Sequence, residues 1–383
     1  MNKPQSALEL LQSLVRIPSV NPQGNPGCDK TGEQACAEYI AEFLKECGAK
    51  VQLEEVMPGR PNVVGVWPSD KPGKPRLVFG PHTDTVSVAG MTIPPFDAEV
   101  REGKIWGRGS SDTKGPMASM LWALHECREQ LPHLSHEIVF AGFMGEEAGQ
   151  HGAKAFLAKH GESLRVLGSL VMAGEPTGLN AVVAHKGALW LSITTRGNAA
   201  HAAEPERGSN AIYKMADIIR ALADDIGPAL AFGRHPLLGH TTLSVGTING
   251  GNKVNIVPDT CHIEVDIRFL PDDDKLMDRL KRWLTSVCKD VEIEHSISMP
   301  MHTEETHPMI GALKECGSQV IGAPWFSDAA IFAHAGIPAI AIGPGSIAQA
   351  HTKDEWLDLD ELERGVNFFS GLIGKLEAQP ILV

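Results

Sequence analysis

Four short, nearly unbroken apolar runs, at residues 62–67, 76–79, 138–144 and 169–173, dominate the first half of the chain. A strand with one wet face alternates between apolar and polar, whereas a strand buried on both faces has no reason to. Helical patterns lie between some of these runs, near residues 114–130 and 150–160. Buried strands separated by helices imply an α/β core whose sheet is covered on both sides. Thr31-Gly32-Glu33-Gln34 reads as a capping box. It opens a helix whose apolar stripe runs through Cys36, Ile40, Phe43, Leu44 and Cys47.

The middle of the chain has a different period. Residues 188–195 alternate loosely and 260–269 strictly: Cys261, Ile263, Val265, Ile267 and Phe269 face one way, while Thr260, His262, Glu264, Asp266 and Arg268 face the other. That pattern marks a sheet with one wet face, and helical stretches at 210–225 and 272–288 are suited to cover the dry one. Residues 186–297 are therefore expected to form an α+β domain inserted into a core made of 1–185 and 298–383. The last segment returns with a helix, a strand at 338–342 and a final helix from about Asp360. A length of 383 residues suits two such domains.

Asp and Glu exceed Lys and Arg, 47 against 34, for a formal charge of −13. Such a surface repels phosphate backbones and anionic lipid, so neither nucleic acid nor membrane is expected as a partner. The start, with Leu8, Leu11, Leu14 and Val15 among polar residues, reads as an amphipathic helix and not as a signal peptide. The longest apolar run, at 329–342, is broken by His334, Gly336 and Pro338 and is too short to span a bilayer. Seven scattered cysteines with no C-x-x-C pair fit a reducing compartment, so a cytoplasmic protein is expected.

Acidic and histidine residues gather at the ends of the expected strands, where open α/β sheets place their sites. Strand 76–79 leads into Gly80-Pro81-His82-Thr83-Asp84, and i, i+2 spacing puts His82 and Asp84 on one side of an extended chain. An imidazole can bind a cation while a carboxylate orients it; a turn with a polar cap is the alternative. Asp112 follows Gly107-Arg108-Gly109-Ser110-Ser111 and precedes a helix, where it would aim inward or serve as an N-cap. Glu146 and Glu147 follow an apolar strand. Buried together they need a compensating charge; exposed, they would suit a helix start. Glu175, in Ala173-Gly174-Glu175-Pro176-Thr177, and His351, after Gly343-Pro344-Gly345-Ser346, also follow strands and would otherwise be solvated loop side chains. Together these clusters offer two imidazoles and three carboxylates, with Asp84 and Glu146 in support. Two divalent cations bring four positive charges, which Asp112, Glu147, Glu175 and one hydroxide would balance. This donor set suits zinc, and also cobalt or manganese.

In these five motifs, and in their order along nearly the whole chain, the sequence resembles the co-catalytic zinc hydrolases that include acetylornithine deacetylases, succinyl-diaminopimelate desuccinylases, aminoacylases and glutamate-type carboxypeptidases. The resemblance implies a catalytic α/β domain with a mostly parallel sheet, plus an inserted lid and dimerisation domain. It implies that His82 and Glu175 hold one metal, Glu147 and His351 the other, and that Asp112 bridges them. Asp84 then stands behind His82, and Glu146 is the general base. A water shared by two cations loses its proton near neutral pH, and Glu146 would take that proton and return it to the departing amine.

Within the inserted domain, Gly197-Asn198-Ala199-Ala200-His201 resembles the segment whose histidine reaches the active site, in dimeric members from the partner subunit. Asn255 and Arg268 resemble the substrate-binding region; read alone they are a turn residue and the partner of Asp266 in an ion pair. His185-Lys186-Gly187 resembles the hinge entering the lid. Pro81, Gly145 and Thr113 depart from the usual pattern without removing an expected ligand. The motifs around Glu175, Lys186 and His351 look most like acetylornithine deacetylases, so hydrolysis of a small N-acylated amino acid is expected, by a homodimer joined through the inserted domain. Desuccinylation is the near alternative, with dipeptidase or carboxypeptidase-type cleavage next. A non-catalytic two-domain ligand binder is the alternative of another class, and it would hold no stoichiometric metal.

Overall fold

The computed structural model describes residues 3–69, 73–273 and 275–378. The chain divides into two compact units, one comprising Met1–Val183, His302–Ile321 and Ser327–Val383, the other Ala184–Met301 and Gly322–Phe326.

At the centre of the first unit, strands Glu137–Gly142, Arg76–Pro81, Leu170–Gly174 and Ala339–Ile342 lie side by side in that order, all parallel. Antiparallel strands Arg60–Trp67 and then Lys50–Met57 extend one flank, and Ala181–His185 the other. Alternate residues serve opposite faces. Leu77, Phe79, Leu170 and Met172 join a core shared with helices Ala7–Arg16, Gln34–Glu46, Lys114–Glu126 and Leu359–Ala378. Each such side chain, fully withdrawn from water, contributes about 1.5–3 kcal/mol. Val78, Val139 and Val171 are equally buried on the other face. There, helices His151–Leu164 and Ala329–His334 meet through Phe156 and Phe332, packed with Phe143 at ring separations of 5.3 to 6.2 Å. Burial on both faces is the reason the strand sequences do not alternate.

The expected capping box does not form. The helix begins at Gln34, and among the described residues no side chain caps it. Thr31 instead bridges Val20, and Gly32 takes a left-handed φ of +89°. Glu33 turns inward, where its two oxygens accept from Arg60 Nε and Nη2 at 2.7 and 2.6 Å. A buried bidentate pair is stronger than an exposed cap, so tertiary structure overrides the local motif.

The second unit holds an antiparallel sheet in the order Thr242–Gly250, Thr260–Phe269, Gly187–Arg196, Glu292–Ser298. Cys261, Ile263, Val265, Ile267 and Phe269 are all buried. Helix Ala211–Ala221 covers them through Met215 and Ile218, and Leu276–Val287 through Leu276, Leu280 and Leu284. Asn210 caps the first of these helices, accepting from Ile212 N at 2.9 Å. The surface loop at 68–75 lies partly outside the described residues. Among the described residues no helix is long and apolar enough to cross a membrane.

Candidate metal centre

Because strands Arg76–Pro81, Glu137–Gly142, Leu170–Gly174 and Ala339–Ile342 run parallel, the chain leaves each of them at the same edge of the sheet. His82 follows the first directly, and its bridge to Phe143 prolongs the pairing beyond the strands. Glu175 N donates to Ile342 O at 3.3 Å, which fixes the carboxylate at the end of its strand. Asp112 stands just before helix Lys114–Glu126, across a cis peptide bond to Thr113.

These strand ends meet. Asp112 Oδ1 lies 3.1 Å from His82 Nε2, and its Oδ2 lies 3.3 Å from His351 Nε2. The same His351 nitrogen is 3.2 Å from Glu147 Oε2. His82, Asp112 and Glu175 offer ligand atoms all within 4.8 Å of one another, as do Asp112, Glu147 and His351. Two triads thus share one carboxylate. Glu146 belongs to a third grouping, with His82 and Glu147. Nitrogen and carboxylate oxygen in threes suit a divalent transition ion. Glu147 Oε1 is buried with no hydrogen-bond partner among the described residues. An unsatisfied buried polar atom costs about 1–3 kcal/mol, and a cation would satisfy it, so the residues present fit a metal.

Asp84 organises two of these segments. Its Oδ1 accepts from Glu146 N at 3.0 Å, and its Oδ2 from Glu147 N at 3.1 Å and Asn21 Nδ2 at 2.8 Å. Gly145, with φ +70°, turns the chain so that these successive N–H groups converge on one carboxylate. His82 Nδ1 lies 3.0 Å from the Asp84 carbonyl oxygen. A proton on Nδ1 leaves Nε2 with its lone pair toward Asp112 and a cation.

Charge is out of balance here without a cation. Burial raises the pKa of Glu175 and Glu146 well above the ordinary carboxylate value, and neighbouring carboxylates add to the shift. Burial and Asp112 raise Glu147. The ion pairs with Asp112 and Glu147 lift His351 to about 10. His82 rises well above its ordinary value because Asp112 and Asp84 outweigh the burial that opposes its charge. Positive metal ions would neutralise this cluster and lower the carboxyl and imidazole pKa values again.

Residues 78–375 match the sequence profile of peptidase family M20/M25/M40. The chain belongs to that family. It is 29% identical over 372 residues to the acetylornithine deacetylase of Proteus mirabilis (strain HI4320), covering 93% of each chain. In fold it is similar to an M20 family metallo-carboxypeptidase from Sulfolobus solfataricus, with a TM-score of 0.79, 21% identity, and coverage of 99% of this chain and 100% of that one. A dinuclear metal-binding M20 peptidase from Bacillus subtilis superposes with a TM-score of 0.69 at 16% identity, covering 97% of this chain and 98% of that one. Family and ligand cluster together make the protein a metal-dependent hydrolase.

Two carboxylates of this M20 chain were not among the expected site residues. One is Glu355, buried four residues after His351. Asp328, at the start of helix Ala329–His334, is 2% exposed, and neither of its oxygens has a hydrogen-bond partner among the described residues. The nearby Gln150 amide donates to Ser327 O at 2.9 Å and also pulls the Asp328 carboxyl down. Burial and the negative charge of Asp84 push the Asp328 carboxyl up to about 7, against the opposing pull of His82. Its folded pKa lies above its unfolded one, so it stabilises the fold in acid, and that contribution is lost as pH rises from about 4 to 7. Asp328→Asn in chelated protein is accordingly expected to raise the unfolding free energy at pH 8 by about 1–3 kcal/mol, with little change at pH 4. Denaturant melts at the two pH values measure this.

The other expected site residues of the M20 chain lie in the second unit. His201 is exposed, bridges Ile256, and accepts from Ala203 N at 3.1 Å through Nδ1. Asn255 is an exposed turn residue whose carbonyl accepts from Ala202 N at 3.1 Å. Arg268 holds Asp266 through Nε and Nη2 at 2.9 and 3.0 Å, and Trp190 Nε1 donates to the same carboxylate at 3.0 Å.

Proposed function

We propose that the protein hydrolyses the amide bond of a small N-acylated amino acid, using two divalent cations held by His82, Asp112, Glu147, Glu175 and His351. The observation that carries this reading is Asp112, whose two oxygens face imidazoles from different triads. When bound, the cations would supply Lewis acidity toward the amide carbonyl and make a water acidic enough to attack near neutral pH. Glu146 takes the proton of the attacking water and delivers it to the leaving nitrogen. Its buried, acid-rich surroundings favour a carboxyl that can hold a proton. Asp84 keeps Glu146 and Glu147 in register through their backbone N–H groups.

The second unit is the lid and the dimerisation domain in this reading. His201 polarises the carbonyl, and Asn255 and Arg268 bind the substrate's polar end. Arg268 has the fork geometry to grip a carboxylate, after exchanging Asp266 for it. The relative from Proteus mirabilis supports a deacetylase acting on an N-acetyl amino acid, with desuccinylase and dipeptidase or carboxypeptidase activity as the readings to exclude. The cysteines form no disulfide among the described residues, which accords with a cytoplasmic enzyme.

The test is a panel of N-acetyl amino acids, N-succinyl amino acids and dipeptides, assayed after chelation and again after return of zinc, cobalt or manganese. Chelation is expected to abolish turnover, a returned metal to restore it, and N-acetyl substrates to give the highest kcat/KM. Turnover untouched by chelation would overturn the metal reading; a preference for dipeptides would overturn the substrate reading.

A further inference from the structure

Glu355 is buried, 1% exposed, and its carboxylate is saturated by donors from one loop. One oxygen accepts from Arg108 Nη1 at 2.7 Å and Gly109 N at 3.0 Å, the other from Ser111 N at 2.8 Å and Asp112 N at 2.9 Å. The backbone pinned in this way is the stretch that aims Asp112. Arg108 extends the frame. Its Nε and Nη2 donate to Ser87 O at 3.2 and 3.0 Å, and Nη2 also to Thr352 O at 3.1 Å. One buried ion pair therefore ties together the loop after His82, the loop of Asp112 and the segment after His351.

Strand pairing reinforces the tie. Trp356–Asp358 pairs with Lys104–Trp106 directly before the Asp112 loop, and Gly107 N donates to Glu355 O at 3.0 Å. His351 needs such support. Its φ is +61°, a left-handed conformation that costs a non-glycine residue about 1 kcal/mol or more and persists where the surroundings impose it. The Thr352 carbonyl is held by Arg108, and the Lys353 carbonyl by Thr92 N at 2.9 Å. His82 and Glu175 are anchored differently, by Asp84 and by Ile342 O.

We propose that Glu355, with Arg108, is a positioning pair that sets the Asp112–Glu147–His351 cation position. Its loss weakens that position more than the His82–Asp112–Glu175 position. The proposal rests on the two-cation reading above.

Cobalt titration of chelated full-length protein, followed by calorimetry and visible absorption, tests it. Wild type is expected to bind two equivalents in two affinity classes, one abolished in His351→Ala and the other in Glu175→Gln. Glu355→Gln keeps the side chain's shape but turns an amide N–H₂ toward N–H donors. It is expected to weaken the His351-dependent class about 10–100-fold and shift its absorption, with a much smaller effect on the other class. Glu355→Asp, which keeps the charge, is expected to recover part of the loss. Arg108→Lys, which loses the fork, provides a second route to the same selective weakening should Glu355→Gln fail to fold. Equal weakening of both classes, or none, in a variant whose circular dichroism matches wild type overturns the proposal alone. A wild type that binds no cobalt overturns the two-cation reading together with it.

Discussion

Glu146→Gln is expected to cut turnover by about 10²–10⁴-fold, the range ascribed to a positioned acid–base group, while both cations stay bound. The substitution is close to isosteric and leaves the Glu146 backbone N–H on Asp84 undisturbed. What it removes is a carboxylate beside His82 and Glu147 that neither triad requires. His82 has Asp112 and Glu175 as companions, and Glu147 has Asp112 and His351, so each triad is complete without Glu146. Burial and the charges of Asp328, Glu175 and Glu147 raise the Glu146 pKa, with His82 opposing. Cations would pull it back down, which suits a group that must both accept and release a proton. The acid limb of the kcat/KM profile is therefore expected to be absent from the residual activity of the variant. Elemental analysis beside the assay separates this role from ligation: a base leaves two equivalents in place, a ligand takes one away. Normal turnover, or loss of one equivalent, would refute the role.

The strand ends were legible because two independent constraints coincide there. Of the four apolar runs, 62–67 is antiparallel, but 76–79, 138–144 and 169–173 are parallel strands that release their loops at one edge, where His82, Glu147 and Glu175 converge. The alternation of 260–269 was legible for the converse reason, one face being wet. Glu355 was not, because a carboxylate that accepts backbone N–H groups has no periodicity, and its side-chain partner, Arg108, lies 247 residues away. Its only trace is its place four residues after His351. Asp328 left still less: a Ser-Asp pair before a helix looks like an ordinary cap, and only the fold shows that the carboxylate is buried. The capping box misled because local spacing cannot register Arg60, which captures Glu33 from 27 residues away. Arg268 keeps the ambiguity it had in the sequence, since its bond to Asp266 occupies the same guanidinium nitrogens that would bind a substrate carboxylate.

Asp112→Asn is expected to have the broadest effect, because Asp112 is the one side chain common to both triads. Losing a buried charged partner costs about 3–5 kcal/mol, which corresponds to cation affinity lower by on the order of a hundredfold to several thousandfold. Turnover should fall with it and not be restored by saturating zinc or cobalt. The pH dependence gives a second, independent reading. In chelated wild type, Asp112 and Glu147 raise His351 to about 10. A histidine whose folded pKa exceeds its unfolded one stabilises the fold fully below about 6.5, and this stability is lost as pH climbs toward 10. Chelated wild type should therefore lose stability across that window, and Asp112→Asn should lose less, since only Glu147 remains beside His351. Loaded wild type should behave in the opposite sense. A cation displaces protons from His82 and His351, so its binding tightens as they become easier to remove. Thermal melts from pH 6 to 10, with and without metal, should thus give curves that diverge as pH rises. Parallel curves would mean that cations and protons do not compete for these imidazoles, and the paired-triad account of Asp112 would fail.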